Sequence, residues 1–513
     1  MIRLSAWISG VICGALLLAS GAVLCQAAVT PSTYLKPVYS LPLTLDPIKM
    51  NDTASLVVAN LLYDGLLRFS PTLKLEGALA ETWKTSADGK VLTFTLKKNA
   101  RFHDGTAISA NDVVVSLRRA VGRESQVRKY YESIKGAQEF AKSGNSASLG
   151  LRALDERTVE IRLRHPFPPF LSILAGATAK VLPAAKLAKK NFFSAPIGSG
   201  PFRFIRKKAT PAKEIVLSRF EGYLSGTPAI ETLIIRETDE AEATRLATEG
   251  LAHDLANFPL SATKPVFQKG RRITSPVSAT WIIGLNAKLP PFDQKSVRQA
   301  FRAAVVTEGF RQKFFPDAIP AYGYVPPGIA GYRRTPTDTR KPGNPVKDKI
   351  RLVIPKELEN HGAMKEFLEA SLTGWNVEVA TLPWDELMNG YVGKTHQAFL
   401  VSMNMDYPDA EFLLQNFVSS NPDNFSGLFD PGIDALLKKV RAERDRGRRN
   451  KLYEDAIRLI DDAAVTVNLF HPRANYWVSP CVKGFTPNIL ADVYIDYRSV
   501  ALKPECGEKR AAR

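Results

Sequence analysis

The sequence predicts an α/β protein built from more than one lobe, and three observations carry that expectation. Beyond Lys349, short apolar strands alternate with amphipathic helices, the pattern of α/β layers. Between Leu79 and Thr106 the chain reads instead as hairpins, which adds a region richer in antiparallel sheet. The third observation is length. A chain of 513 residues exceeds what one hydrophobic core organises, so two or three domains are expected. Charged residues at 23% and hydrophobic ones at 45% exclude a disordered chain and fit an ordinary globular one.

Residues 1–28 read as an export signal. Arg3 is their single charge, an apolar run extends from Ala6 to Leu24, and Cys25-Gln26-Ala27-Ala28 supplies small residues for cleavage. Gly10, Gly14, Ser20 and Gly21 dilute that run as an uncleaved membrane span. A lipid anchor on Cys25 fits less well, because Leu24 stands where the processing enzyme wants a small residue. Tyr34 to Leu45 then reads as a buried strand entering the fold. Val57, Val58, Leu61, Leu62 and Leu66 share one helix face. Ala87-Asp88-Gly89-Lys90 is a hairpin turn. Leu92, Phe94 and Leu96 alternate with threonines as a half-buried strand. Ser109-Ala110-Asn111-Asp112 starts a helix whose apolar face is Val113, Val114, Leu117 and Ala120.

Gly198-Ser199-Gly200-Pro201 breaks the chain before a strand from Phe202 to Ile205. Leu233-Ile234-Ile235 is a short buried strand, and Ala241 to Gly250 a helix stopped by glycine. Pro290-Pro291-Phe292-Asp293 opens a helix through Val297, Ala300, Phe301 and Ala304. Gly331 to Lys349, rich in proline and basic residues, is an exposed loop. Strands at Arg351 to Ile354 and Ala398 to Ser402 alternate with a helix from Ala363 to Leu372. Ile433, Leu436, Leu437 and Val440 sit at i, i+3, i+4 and i+7 of another helix. Leu452 to Ala464 is the next.

The formal net charge is +18, partly concentrated from Lys438 to Arg449. Such a run suits nucleic acid, a membrane surface or an anionic ligand. It lacks the interleaved aromatics that stack bases, so it reads as a solvated helix face and no nucleic-acid partner is expected. Of four cysteines, Cys13 and Cys25 lie in the signal. Cys481 and Cys506 remain and are expected to pair in an oxidising compartment, two buried thiols being the alternative. The six histidines are scattered, with none at metal-ligand spacing. Ile197-Gly198-Ser199-Gly200 misses the first glycine of a nucleophile elbow. Asp406 and Asp409 leave open a paired acid/base reading of the glycosidase kind.

A series of motifs in fixed order carries more information than any one of them. It runs from Leu45-Asp46-Pro47 through Leu61-Leu62-Tyr63-Asp64-Gly65-Leu66, Leu79-Ala80-Glu81-Thr82-Trp83 and Arg101-Phe102-His103-Asp104-Gly105-Thr106. Gly198-Ser199-Gly200-Pro201-Phe202, Val297-Arg298-Gln299-Ala300 and Asp406-Tyr407-Pro408-Asp409-Ala410-Glu411 follow. In this the chain resembles the bacterial extracellular solute-binding proteins of family 5, the peptide/nickel class that serves ABC importers. The resemblance implies an α/β, two-lobed periplasmic-binding-protein fold (class II, cluster C) with an extra β-rich subdomain next to lobe one. On this chain lobe one would comprise 29–60, 196–279 and 478–513. The extra subdomain would be 61–195 and lobe two 280–477. The ligand would be enclosed between the lobes by a hinge motion.

Family members that take peptides hold them extended through backbone hydrogen bonds. An acidic residue on lobe two pairs with the peptide ammonium, and Asp406 matches that position. Peptide binders commonly carry a tryptophan two residues earlier; here Asn404 stands there, which implies a smaller or more polar wall. Tyr407, Tyr39 and Trp281 complete the expected ligand contacts. The resemblance thus implies a periplasmic, monomeric carrier of oligopeptides with no covalent chemistry, cofactor or metal, delivering to an inner-membrane ABC permease. The alternatives are a non-peptide solute, such as a metal chelate or sugar, and a secreted hydrolase using Asp406 and Asp409. The basic surface leaves open a preference for acidic peptides.

Overall fold

The computed structural model describes residues 33–208, 213–256, 269–336 and 343–507. The segment 1–28, expected to be an export signal, lies outside the described residues, as does the middle of the expected basic loop between Gly331 and Lys349.

The first unit is a four-stranded sheet. Strand Thr33–Val38 runs parallel to Thr232–Glu237, followed by the antiparallel strands Glu214–Arg219 and Phe202–Lys208. The entering strand is shorter than its apolar run suggests. It ends at Val38, and Leu43 is 79% exposed. Pro42 and Pro47 have no N–H to give a ladder, and the Leu41 N–H goes to the Glu237 carboxylate at 3.2 Å. Helix Thr53–Leu62 is capped by Asp52, which accepts from the Ser55 N–H, and stops at Leu62, short of Leu66. Leu61, Leu62, Phe202, Leu217 and Ile235 share one core with Tyr476 and Val478 from near the C-terminus.

At the heart of this unit lies a largely buried ionic cluster. Lys36 Nζ sits 2.6 Å from Asp254 Oδ2 and 3.9 Å from Asp492, with side-chain exposures of 2% and 0% for the first pair. Tyr34 donates to the other Asp254 oxygen at 2.7 Å.

The extra subdomain is the antiparallel sheet Ala80–Thr85, Val91–Leu96, Thr158–Arg162, Leu151–Ala153. Helix Ala110–Val121 begins with a reciprocal Ser109–Asp112 capping box. Its residues Val113 and Leu117 pack with Phe94, Phe102 and Ile161. The His103 turn is stitched to the Gly198–Gly200 break. Its N–H donates to Gly198 O at 2.7 Å, its Nδ1 accepts from the Gly198 N–H at 3.2 Å, and its Nε2 lies 3.0 Å from Gly200 O. A Cβ at position 198 would fall 1.9 Å from Leu62 O, so only glycine fits.

The remaining unit is a six-stranded mixed sheet ordered Ile319–Pro320, Thr466–His471, Ala279–Leu285, Ala398–Asn404, Ile350–Pro355, Val377–Leu382. One face packs on Phe292, Phe301 and Leu368, the other on Leu413, Phe417 and Ile457. The chain enters between Pro276 and Ala279 and returns between His471 and Arg473. The two crossings are tied together, since the Val277 N–H donates to Pro472 O at 2.9 Å. Strand Arg473–Val478 pairs over its whole length with Arg271–Pro276. A boundary at 477 therefore cuts one strand of one sheet, and the return crossing lies at Pro472. Cys481 and Cys506 are joined by a disulfide, which fastens helix Pro504–Gly507 beside strand pair Val482–Lys483 and Ala501–Leu502.

His471, fully buried at the return crossing, sits 3.0 Å from Thr280 Oγ1 through Nδ1. Burial lowers its pKa to about 4. The unfolded chain takes up this proton near pH 6.5 and the folded one only near 4. The contribution to stability is therefore complete above about 6.5 and declines as pH falls towards 4, by roughly 3 kcal/mol at most. In His471→Gln, proton uptake on urea unfolding at pH 5 is expected to fall by about one. An unchanged uptake would show that this histidine titrates normally in the folded protein.

Candidate functional site: the cleft between the lobes

Strand Ala398–Asn404 pairs antiparallel with Ala279–Leu285, bringing Asn404 opposite Ala279. One residue on, the Met405 N–H donates to Ser278 O at 2.8 Å, on the entering crossing itself. The next residue, Asp406, therefore stands at the base of the cleft. Tyr130 reaches it from the 3-10 turn Arg128–Tyr131 of the extra subdomain and donates its hydroxyl to Asp406 Oδ2. Burial first, and the Asp406 charge second, hold the Tyr130 hydroxyl well above the ordinary phenol range, so it stays a donor. Among the described residues no cation is ion-paired with Asp406.

The Tyr130–Asp406 contact stands between two cavities, since both residues line each of them. The larger holds about 870 Å³ and the smaller about 290 Å³. Helix Trp384–Gly393 presents Trp384, Met388 and Tyr391, at i, i+4 and i+7, to the larger one. Trp281 adds a wall there, held by stacking on Phe315 and Phe470 with centroids at 6.2 and 5.8 Å. The smaller chamber is lined by Met50, Leu56, Gln126 and Tyr494 among others.

The rest of the acidic motif faces inward. Tyr407, 4% exposed, donates to Glu411 at 2.8 Å, and Glu411 pairs with Arg441 at 2.8 Å. Desolvation raises the Glu411 pKa, with Arg441 and Tyr407 opposing it. Asp409 accepts from Tyr453 and meets Arg449 at 3.4 Å. It does not line the large cavity, so Asp406 and Asp409 do not face one reaction space. The basic run is mostly solvated, as expected: Lys438, Lys439, Arg444, Arg446 and Arg448 are exposed, and Arg441 and Arg449 are half-buried. Arg441 and Arg449 brace this motif, and Arg444 donates to Ala87 O at 2.6 Å across to the hairpin turn.

Of the residues expected to touch ligand, Asp406, Asn404, Tyr407 and Trp281 all line the large cavity. Tyr39 does not. It follows the end of strand Thr33–Val38, is 49% exposed near Glu240, and lines neither cavity. Tyr407 contributes a wall whose hydroxyl is already spent on Glu411. Tyr130 was not expected at all, because no local pattern marks a tyrosine whose partner lies 276 positions away. Trp384 and Tyr391, which are not among the expected contacts, also line the large cavity. Among the described residues no group of three or more His, Cys, Asp or Glu side chains is placed to hold a metal ion. No described helix is long and apolar enough to cross a membrane.

Two lobes, two crossings and a cleft at the crossings define a binding protein that encloses its ligand. The profile of the bacterial extracellular solute-binding proteins, family 5 Middle, matches residues 74–425, and the chain belongs to that family. It is 27% identical over 445 residues to a glutathione-binding protein of Pectobacterium atrosepticum, spanning 80% of this chain and 83% of that one. Among solved structures, the murein tripeptide binding protein MppA in its unliganded open form superposes with TM-score 0.79 at 20% identity. That match covers 92% of this chain and 97% of the other. The Haemophilus influenzae OppA complex with the peptide RPPGFSPFR gives TM-score 0.73 at 20% identity, over 92% and 99% of the two chains.

Proposed function

We propose that this chain is a non-enzymatic periplasmic carrier, acting as a monomer, that encloses a short peptide and delivers it to an inner-membrane ABC permease. The observation that carries the reading is Asp406, a carboxylate at the base of the cleft whose partner across it is a neutral hydroxyl. A ligand ammonium supplies the missing charge, and a charge-assisted bond replaces a neutral one. The names of two similar proteins support the size class, one binding glutathione and the other a murein tripeptide.

The test is a thermal-shift screen of the mature protein against di- to pentapeptides, glutathione and their N-acetylated forms, with sugars and metal chelates alongside. A ligand at 100 times its dissociation constant adds about 2.7 kcal/mol. The expected result is a shift with free amines that N-acetylation abolishes. Shifts only with sugars or metal chelates would move the protein to a non-peptide solute.

A further inference from the structure

A basic pocket on the extra subdomain lies apart from the cleft. Residues 61–195 hold 22 Lys and Arg against 12 Asp and Glu, whereas residues 280–477 hold 26 against 24. More than half of the net charge of +18 therefore sits on the subdomain. Part of it converges on a cavity of about 430 Å³ at the C-terminal ends of helices Ala110–Val121 and Ala137–Ser143. That cavity shares no lining residue with either chamber of the cleft. Arg118, Arg119, Arg123 and Lys142 line it, with Glu124 its one carboxylate. Arg119 is already committed, donating to Asp46 at 2.9 Å with its guanidinium 5.3 Å from the Phe193 ring centroid. Among the described residues the side chains of Arg118, Arg123 and Lys142 have neither an ion pair nor a hydrogen bond. Arg118 is half-buried, with its Nε enclosed and its two terminal nitrogens still accessible. Arg123 and Lys142 are exposed at the rim of the pocket. Arg128 donates to Arg123 O at 3.4 Å, which holds a further cation beside that rim.

Cations gather at helix C-termini for an ordinary reason, since each end carries about half a negative charge. Two such ends and Glu124 still leave Arg118, Arg123, Lys142 and Arg128 in excess. A half-buried guanidinium has given up part of its hydration, which is costly unless an acceptor replaces the water. A tetrahedral oxyanion offers several acceptor atoms at once, and the planar fork of an arginine matches two of them. We propose that this pocket binds a phosphate group, with the terminal nitrogens of Arg118 as its inner donors and Arg123 and Lys142 at its mouth. Free phosphate and the phosphate of an anionic lipid headgroup share that chemistry. The site stands independently of the peptide function proposed above, because none of its residues lines the cleft.

The test is calorimetric titration of the mature protein with inorganic phosphate, glycerol phosphate and acetate at about 0.15 M salt, where diffuse surface charge is largely screened. Sedimentation with phosphatidylglycerol or phosphatidylcholine vesicles runs beside it. Wild type is compared with Arg118→Gln and with the double variant Arg123→Gln, Lys142→Gln, whose exposed positions leave folding intact. Phosphate is expected to bind wild type at one site and to bind both variants at least roughly tenfold more weakly. Vesicle binding that requires phosphatidylglycerol and is lost in the same variants assigns the site to a lipid headgroup. Phosphate binding without vesicle binding assigns it to free phosphate. Acetate binding as tightly as phosphate overturns the phosphate assignment. Binding that both variants leave unchanged, or no binding of any phosphate probe or phosphatidylglycerol vesicle by wild type, overturns the site altogether.

Discussion

Asp406→Asn is expected to weaken binding of a free-amine peptide by roughly thirtyfold or more, about 2 kcal/mol. Asparagine keeps an oxygen that can accept from Tyr130, so the cleft wall stays intact while the charge goes. The loss should be confined to ligands with an ammonium. An N-acetylated peptide, already weak, should bind variant and wild type alike. The urea midpoint should move little, because Asp406 is an exposed residue outside the packed cores. Calorimetric titration of both proteins decides it. Unchanged affinity for free-amine peptides would remove Asp406 as the anchor and return it to the role of a turn residue.

The largest stability effect is expected at Lys36. Lys36→Met deletes the cation between Asp254 and Asp492 and leaves Asp254, whose side chain is fully buried, without its counter-charge. Breaking one side of a buried pair costs about 3–5 kcal/mol. Burial opposes the lysine charge, yet the two aspartates win and its pKa stands well above the usual ammonium range. The cation is therefore held in its charged form at neutral pH. Urea unfolding measures the loss. A drop below about 1 kcal/mol would mean that Asp254 is held well enough by Tyr34 and Tyr497 alone. The Lys36→Met, Asp254→Leu double variant should recover part of the deficit by removing one stranded charge.

The parts of the fold that the sequence foretold are those set by local pattern. Alternation at Leu92, Phe94 and Leu96 became a strand buried at those three residues. The i, i+3, i+4, i+7 set at Ile433 became helix Pro431–Ala442. Lengths were less legible where prolines and side-chain partners intervene, as between Val38 and Leu45. In the cleft, the same logic separates Asp406 from Tyr130. The aspartate belongs to a contiguous motif, whereas its partner Tyr130 is defined by how two units meet. Tyr39 illustrates the opposite error. An aromatic near the entry of lobe one was a reasonable wall, but the strand ends one residue before it and turns it to solvent. Trp384 stood outside the expected contacts because large aromatics are usually core; here it is 44% exposed and lines the large cavity.

The bond from the Met405 N–H to Ser278 O places Asp406 one residue from the crossings, which bears on how the proposed carrier would take up its ligand. Rotation of two bodies about a pair of crossings displaces each group in proportion to its distance from them. On the proposed hinge closure, Asp406 would hardly move relative to either body, whereas Tyr130 would travel with the far wall. On the proposed anchor role of Asp406, an arriving molecule would meet a nearly stationary carboxylate first and the moving wall second. Substitutions near the pivot should alter arrival and departure together, while those on the swinging wall should register chiefly as a shorter dwell time.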